Sequence, residues 1–257
     1  MGLKIVDGEV IVDHHENAHL NTGINGNPTE IPFRGMTVHC VFQRLFHSAK
    51  EARDRHTRSL GDNCPLIYAL KGKDGLSVSI TSIKLLNASI PVLVDTISAK
   101  VFDKVDVVVP MPSSSDLAKI LARRIARRNS LVMRTDLLVK SSNLQASVRA
   151  KALTAPGNRA LSYGEANELK VIVRNLHRTA AAPYAAKEVK TRFRKYFDPL
   201  KLSPAVEQYP EGTRFLLVDD LMATGETLLA AQELLTGAGG AEALHAVTWF
   251  SPVRAPA

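Results

Sequence analysis

Residues 105–110 read Val-Asp-Val-Val-Val-Pro, and a run like that has few places to go. β-Branched side chains suit an extended backbone, and successive apolar residues put bulk on both faces of a strand. A strand apolar on both faces must be covered on both, as in a parallel sheet flanked by helices. Pro110 closes the run. Asp116–Arg128 then sets Leu117, Ile120, Leu121 and Ile125 along one helical face, with Ser115 or Asp116 placed to cap it. The alternation recurs. Leu131–Arg134 reads as a second short strand and Phe215–Val218 as a third, with a helix over Thr227–Leu235 ended by Gly237–Gly240, and Ala243–Trp249 as a fourth strand. Ala166–His177 and Ala185–Phe197 read as helices. Short apolar strands alternating with helices predict an α/β fold with a mostly parallel central sheet flanked by helices.

The first hundred residues are less regular. Leu3–Ile5 and Glu9–Val12 flank Asp7-Gly8 and predict a small hairpin. Residues 13–35 look irregular, while Met36–Arg58 has Val38, Val41, Phe42, Leu45, Phe46 and Ala49 at helical spacing. Leu66–Leu70 reads as a short strand or a helix start, Lys73-Asp74-Gly75 as a turn, and Leu76–Leu86 as either helix or strand. At 257 residues the chain suits one elaborated domain or a core with an appendage. It divides into an N-terminal accessory region, 1–100, and a core, 101–257, interrupted by a long polar insertion at about 135–200. No apolar stretch approaches the ~20 residues that span a bilayer, and the N-terminus lacks a secretory pattern. Cys40 and Cys64 read as buried, reduced thiols, so the expected setting is cytoplasmic, with no membrane partner.

Charge is unevenly spread. Residues 101–200 carry 19 basic and 8 acidic side chains, whereas residues 201–257 carry 3 basic and 7 acidic. An electropositive middle third favours an anionic ligand such as a nucleotide or pyrophosphate; nucleic acid is the less favoured reading. A solvated basic face without a specific partner accounts for the charge equally well.

Residues 216–228 are more specific: Leu-Leu-Val-Asp-Asp-Leu-Met-Ala-Thr-Gly-Glu-Thr-Leu. The buried strand delivers Asp219 and Asp220 to the carboxyl edge of the sheet, where ligands of open α/β sheets bind. Ala223, Thr224 and Gly225 let backbone N–H groups approach an anion, and Thr224 and Thr227 add hydroxyls at a helix N-terminus. A phosphate suits that turn. Two carboxylates beside it suit vicinal hydroxyls or a divalent metal, so a sugar phosphate satisfies both halves. The segment lacks the P-loop and Gly-x-Gly-x-x-Gly patterns. An N-capped helix with two exposed acids does not require Thr-Gly-x-Thr.

The segment closely resembles the signature of type I phosphoribosyltransferases. That resemblance implies that Asp219 and Asp220 bind the ribose 2- and 3-hydroxyls of phosphoribosyl pyrophosphate, and that Ala223, Thr224, Gly225, Glu226 and Thr227 wrap its 5-phosphate, Glu226 through its backbone alone. It implies Mg²⁺, held mainly through the ligand, a nitrogenous small-molecule acceptor, and a homodimer. The N-terminal region becomes the hood that selects the acceptor. The turn Pro112-Ser113-Ser114-Ser115 falls where the family holds pyrophosphate, and Lys71 joins it. Lys140, Arg149, Lys151 and Arg159 fall where the family has a loop that closes over substrate; Lys140 and Arg149 are the catalytic candidates there, beside Asp219 and Asp220. Leu66–Lys71, Asp106–Pro112, Gln145 with Arg149, and Arg192–Phe197 resemble ComF-type competence proteins, although their paired-cysteine zinc module is missing. The leading expectation is phosphoribosyl transfer. The alternative is a non-catalytic sensor of phosphoribosyl pyrophosphate or a nucleotide that regulates a nucleic-acid or protein partner.

Other clusters read more plainly. Arg123, Arg124, Arg127 and Arg128 complement a helix C-terminus. His14, His15, Glu16 and His19 read as a solvated turn rather than a metal cluster, and Cys40 beside His39 as a buried thiol rather than a nucleophile.

Overall fold

The structure, a computed structural model, describes residues 2–13, 15–16, 18–45, 64–155, 157–205, 209–237 and 242–252. In chain order its elements begin with strands β1 (Gly2–Val6), β2 (Glu9–Asp13), β3 (Thr29–Phe33) and β4 (Met36–Phe42). Helix α1 (Pro65–Leu70), strand β5 (Ser77–Val78), helix α2 (Ile80–Val101), strand β6 (Val107–Pro110), helix α3 (Leu117–Asn129) and strand β7 (Val132–Met133) follow. Next come β8 (Leu138–Lys140), α4 (Asn143–Ala146), α5 (Val148–Leu153), α6 (Tyr163–His177) and β9 (Leu200–Leu202). Strand β10 (Arg214–Leu221), helix α7 (Glu226–Gly237) and strand β11 (Glu242–Phe250) complete the series. Two compact units result: residues 1–134, 214–224 and 243–257 form the first, and residues 135–213 and 225–242 the second.

In the first unit a six-stranded sheet runs β3-β4-β11-β10-β6-β7. Strand β10 pairs parallel with β6, β6 with β7, and β11 with β4, while β3 is antiparallel to β4. The chain is therefore mixed α/β with a mostly parallel sheet, as expected. Val108, Leu216, Val218 and Val247 are fully buried in a core shared with Leu93, Ile97 and Leu121 of the covering helices. Strand β4 corrects the expected helix over Met36–Arg58. Val38 to Phe42 are all buried, and a strand covered on both faces has no alternation, so its apolar spacing imitated a helical period. Residues 46–58 of that expected helix lie outside the described residues. The first hundred residues thus place β3 and β4 in the main sheet. The irregular-looking stretch hides β3, an edge strand whose Pro32 needs no ladder donor.

Two hairpins turn on paired left-handed residues, Asp7-Gly8 and Arg34-Gly35, the geometry whose twist matches the flanking strands. The ambiguity at Leu76–Leu86 resolves into both elements: β5, then α2, begun where Ser79 Oγ accepts the Ser82 N–H at 3.3 Å. The expectation that no stretch could span a bilayer needs correcting, because Ile80–Lys104 is long and apolar enough by length and composition alone. Yet Leu86, Ile90, Leu93, Val94 and Ile97 of that helix lie in the unit's own core. Helix α3 lacks the expected side-chain cap: Asp116 makes no capping hydrogen bond, and Ser115 is engaged elsewhere.

His39 of β4 is 2% exposed, with Nε2 3.4 Å from His245 Nδ1 and Nδ1 3.9 Å from Glu30. Burial chiefly pulls its pKa down to about 4, with His245, Lys100 and Lys104 adding to the fall and Glu30 opposing it. A group depressed in the folded state is neutral there while the unfolded chain takes up a proton, so stability falls as pH drops from about 6.5 towards 4. Roughly 2–3 kcal/mol is expected to be lost across that window. Thermal melts should show a steeper acid decline for the parent than for His39→Gln; parallel curves would contradict this.

The second unit begins with β8 antiparallel to β9. Capping boxes at Ser142–Gln145 and Ser162–Glu165 start α4 and α6, so the polar insertion is built rather than irregular. Leu169, Val173, Phe193 and Phe197 form its core. Ala185–Phe197 is corrected from one helix to two 3₁₀ segments, Ala186–Glu188 and Thr191–Tyr196. Val189 between them is extended and Lys190 is non-helical, and the break lets Val189, Phe193 and Phe197 reach the same core. Part of the glycine-rich stop, residues 238–240, lies outside the described residues.

Candidate functional site

Strand β10 lies between β11 and β6. Phe215, Leu216, Leu217 and Val218 are at most 1% exposed, so the strand is anchored up to the point where its two acids begin. Val218 stands opposite Pro110, the last residue of β6. The Met111 N–H then donates to the Val218 carbonyl at 2.7 Å. The turn after β6 and the acids of β10 therefore leave one sheet edge side by side. Asp219 is half-buried and Asp220 buried, and the Asp220 N–H donates to Asp219 Oδ1 at 2.8 Å.

Two donors converge on Asp220 Oδ2. Lys71 Nζ, just past the end of α1, lies 2.6 Å away. Ser115 Oγ, in the turn after β6, donates from 3.2 Å. Ser113 Oγ in turn accepts the Ser115 N–H at 3.3 Å. Four residues singled out in the sequence, Lys71, Ser113, Ser115 and Asp220, are thus gathered in one corner, with Pro112 and Ser114 on the same turn. Serving Asp220 is why Ser115 does not cap α3.

Arg44 is a buried cation that the sequence reading did not single out. It is a 7% exposed arginine whose backbone N–H donates to Ser251 Oγ at 2.9 Å. The Cys64 thiol records the charges around it. Burial pushes its pKa up to about 11, Arg44 and Lys71 pull it down, and Asp220 pushes it up. Cys64 is 1% exposed, and burial that disfavours the thiolate suits a structural thiol. The other cysteine, Cys40, is fully buried and accepts from Thr248 Oγ1 at 3.3 Å. No local sequence signal marks Arg44, because it follows a strand that reads as a helix.

Beyond the acids, the Met222 N–H donates to the Phe250 carbonyl at 3.1 Å. Ala223 is exposed and Thr224 half-buried. Gly225 has φ +77°, a left-handed conformation that glycine adopts without penalty. Helix α7 follows at Glu226, so Glu226 and Thr227 occupy its first turn, where the leading N–H groups have no partner within the helix. Gly225→Ala is expected to destabilise the protein by about 1–2 kcal/mol through that φ alone, read as a lowered melting temperature. An unchanged melt would mean that the turn does not hold this conformation.

In the second unit, Lys140 is exposed on β8 and Lys151 on α5. Arg149 pairs with Asp198 at 3.2 Å and donates to the Lys195 carbonyl at 2.7 Å. Among the described residues, no group of three or more His, Cys, Asp or Glu is placed to hold a metal ion; His14 lies outside them.

Residues 79–256 match the family model of the phosphoribosyl transferase domain, more than two thirds of the chain. The match takes in Ser113–Ser115 and Asp219–Thr227, while Lys71 and Arg44 precede it. It is to the general family, and nothing in it singles out the ComF-type subset. Neither the curated proteins nor the solved structures return a match.

Proposed function

The chain belongs to the phosphoribosyl transferase domain family, and on that premise we propose that it binds phosphoribosyl pyrophosphate at the head of β10 and transfers the phosphoribosyl group to a nitrogenous acceptor. The observation that carries the proposal is the meeting of Lys71 and Ser115 on Asp220, whose strand leads on in the chain to Ala223-Thr224-Gly225. Asp219 and Asp220 accept hydrogen bonds from the ribose hydroxyls, and the turn with Thr224 and Thr227 takes the 5-phosphate. Ser113, Ser115 and Lys71 take the pyrophosphate, with Lys71 supplying positive charge where negative charge develops. Mg²⁺ suits a site of this kind, since it prefers oxygen donors and binds through one or two carboxylates together with phosphates. It would be held mainly through the ligand, with Asp219 and Asp220 the nearest protein carboxylates, and it would offset charge on the leaving pyrophosphate. Of the two basic residues expected to serve catalysis, Arg149 is committed within its own unit and Lys140 stands exposed on β8; the proposal rests on neither.

Isothermal titration with phosphoribosyl pyrophosphate and Mg²⁺ tests the binding half. Pyrophosphate release across a panel of acceptors tests the transfer. No binding would sink the proposal outright. Binding with no release for any acceptor would favour a sensor over an enzyme.

A further inference from the structure

The arginines of α3 do not hydrogen-bond the end of their own helix, as their position in the sequence suggests. Asn129 Nδ2 donates to the Ile125 carbonyl at 2.8 Å, and the N–H groups of Ser130 and Leu131 both reach the Ala126 carbonyl. Arg124 and Arg128 cross instead to α2. Arg124 Nη2 donates to Asn87 Oδ1 at 3.0 Å. Arg128 grips both oxygens of Asp95 through Nε and Nη2, each at 2.5 Å. Arg127 is exposed and makes no hydrogen bond or ion pair among the described residues.

All three arginines line one cavity of about 390 Å³ between α2 and α3, within the first unit. Its apolar wall is Ile90, Pro91 and Val94, and Asp95 is its one acid. Pro91 is an exposed proline inside α2. It withholds the N–H that the Asn87 carbonyl would otherwise accept, a cost to the helix, and its exposure means that it gains no core packing in return. What it supplies is a rigid ring on the cavity wall. A guanidinium carries five N–H donors. Asp95 takes two from Arg128 and Asn87 takes one from Arg124, so both groups are held in place with donors to spare. Three cations against one carboxylate leave a net +2 here. A phosphate monoester carries about −1.5 to −2 near pH 7 and presents three acceptor oxygens, which guanidinium forks match in pairs. An apolar cavity of about 150 Å³ admits benzene, so this one has room for a ring-sized body beside the phosphate.

We propose that this cavity is a binding site for a small phosphate monoester, its flat apolar body against Pro91 and Val94 and its phosphate held by Arg127 together with Arg124 and Arg128. The site shares no residue with the Asp220 corner, and the proposal stands independently of the phosphoribosyl-transfer reading. A concave wall of this size suits a small molecule, whereas a nucleic acid needs an extended basic track.

Arg124 Cζ lies 5.9 Å from the ring centre of Trp249, the chain's one tryptophan, so intrinsic fluorescence reports on the site. Phenyl phosphate is the probe. Inorganic phosphate, the anion without a body, and phenol, the body without an anion, are the controls. The expected result is a saturable change with phenyl phosphate, bound at least about tenfold more tightly than either control. Affinity should fall at least about tenfold in Arg127→Met and further in Arg127→Glu, while both variants melt with the parent because Arg127 holds nothing in the fold. Thr227→Val, at the head of α7, should bind phenyl phosphate as the parent does. No binding, binding no tighter than inorganic phosphate, or affinity unmoved by both Arg127 variants overturns the proposal. A fall in Thr227→Val without one in Arg127→Met would put the probe at the head of β10 and overturn it too. So would tighter, Arg127-dependent binding of a single-stranded oligonucleotide. If phosphoribosyl pyrophosphate fails to bind the parent, only the donor reading falls.

Discussion

Asp219→Asn combined with Asp220→Asn is expected to weaken binding of phosphoribosyl pyrophosphate by about 10²–10⁴-fold. Each carboxylate is assigned a charge-assisted hydrogen bond to a ribose hydroxyl, worth about 1.5–3 kcal/mol, and every 1.4 kcal/mol is a tenfold change in affinity. The amide keeps an acceptor oxygen for the Asp220 N–H and for Ser115, so circular dichroism and the folded baseline should barely move. Calorimetry on the parent, the two single variants and the double variant separates the contributions. Asp220 is tied to Lys71 and Ser115 while Asp219 Oδ1 accepts the neighbouring N–H, so the two losses are not expected to be equal. Affinity unchanged in the double variant would remove the sugar from this loop.

Lys71→Met is expected to act twice. Without ligand it strips Asp220, whose side chain is only 10% exposed, of its cation. Breaking a buried pair by removing one partner costs about 3–5 kcal/mol. Lys71 itself is 19% exposed, and solvent screening reduces that to about 1–3 kcal/mol. With ligand, the loss of a cation from the pyrophosphate site should lower affinity about tenfold or more and flatten its dependence on salt. Chemical denaturation of Lys71→Met, Asp220→Asn and the pair provides the control. The double variant should be more stable than the sum of the single losses predicts, because the unpaired charge is gone. Strict additivity would show that the pair contributes nothing to the fold.

What the sequence discloses follows how local each feature is. Val107–Pro110 and Phe215–Val218 are recognisable because a strand covered on both faces needs a continuous apolar run. Residues 223–227 are recognisable because a tight turn into a helix needs small residues and one left-handed glycine, here Gly225. Strand β4 is not recognisable for the reason β6 is. Its partner, β11, lies more than two hundred residues on, and without that partner its spacing fits a helix equally well. Arg44 meets Ser251 just past β11 only because β4 is a strand. The meeting of Lys71, Ser115 and Asp220 depends on three separate stretches of chain, and no spacing within any one of them encodes it. The two 3₁₀ segments follow the same rule, since the shared core of Val189, Phe193 and Phe197 overrides the helical propensity of the residues around them.

The pairing of β4 with β11 also governs how the protein can be made. On the ribosome, Met36–Phe42 emerges long before Glu242–Phe250, and until then β4 has only the edge strand β3 beside it. Over that interval an apolar strand therefore presents an open edge, the condition in which nascent chains stick to one another. The main sheet cannot close before β11 is translated, so until then the β3–β4 hairpin is the natural target of a holding chaperone.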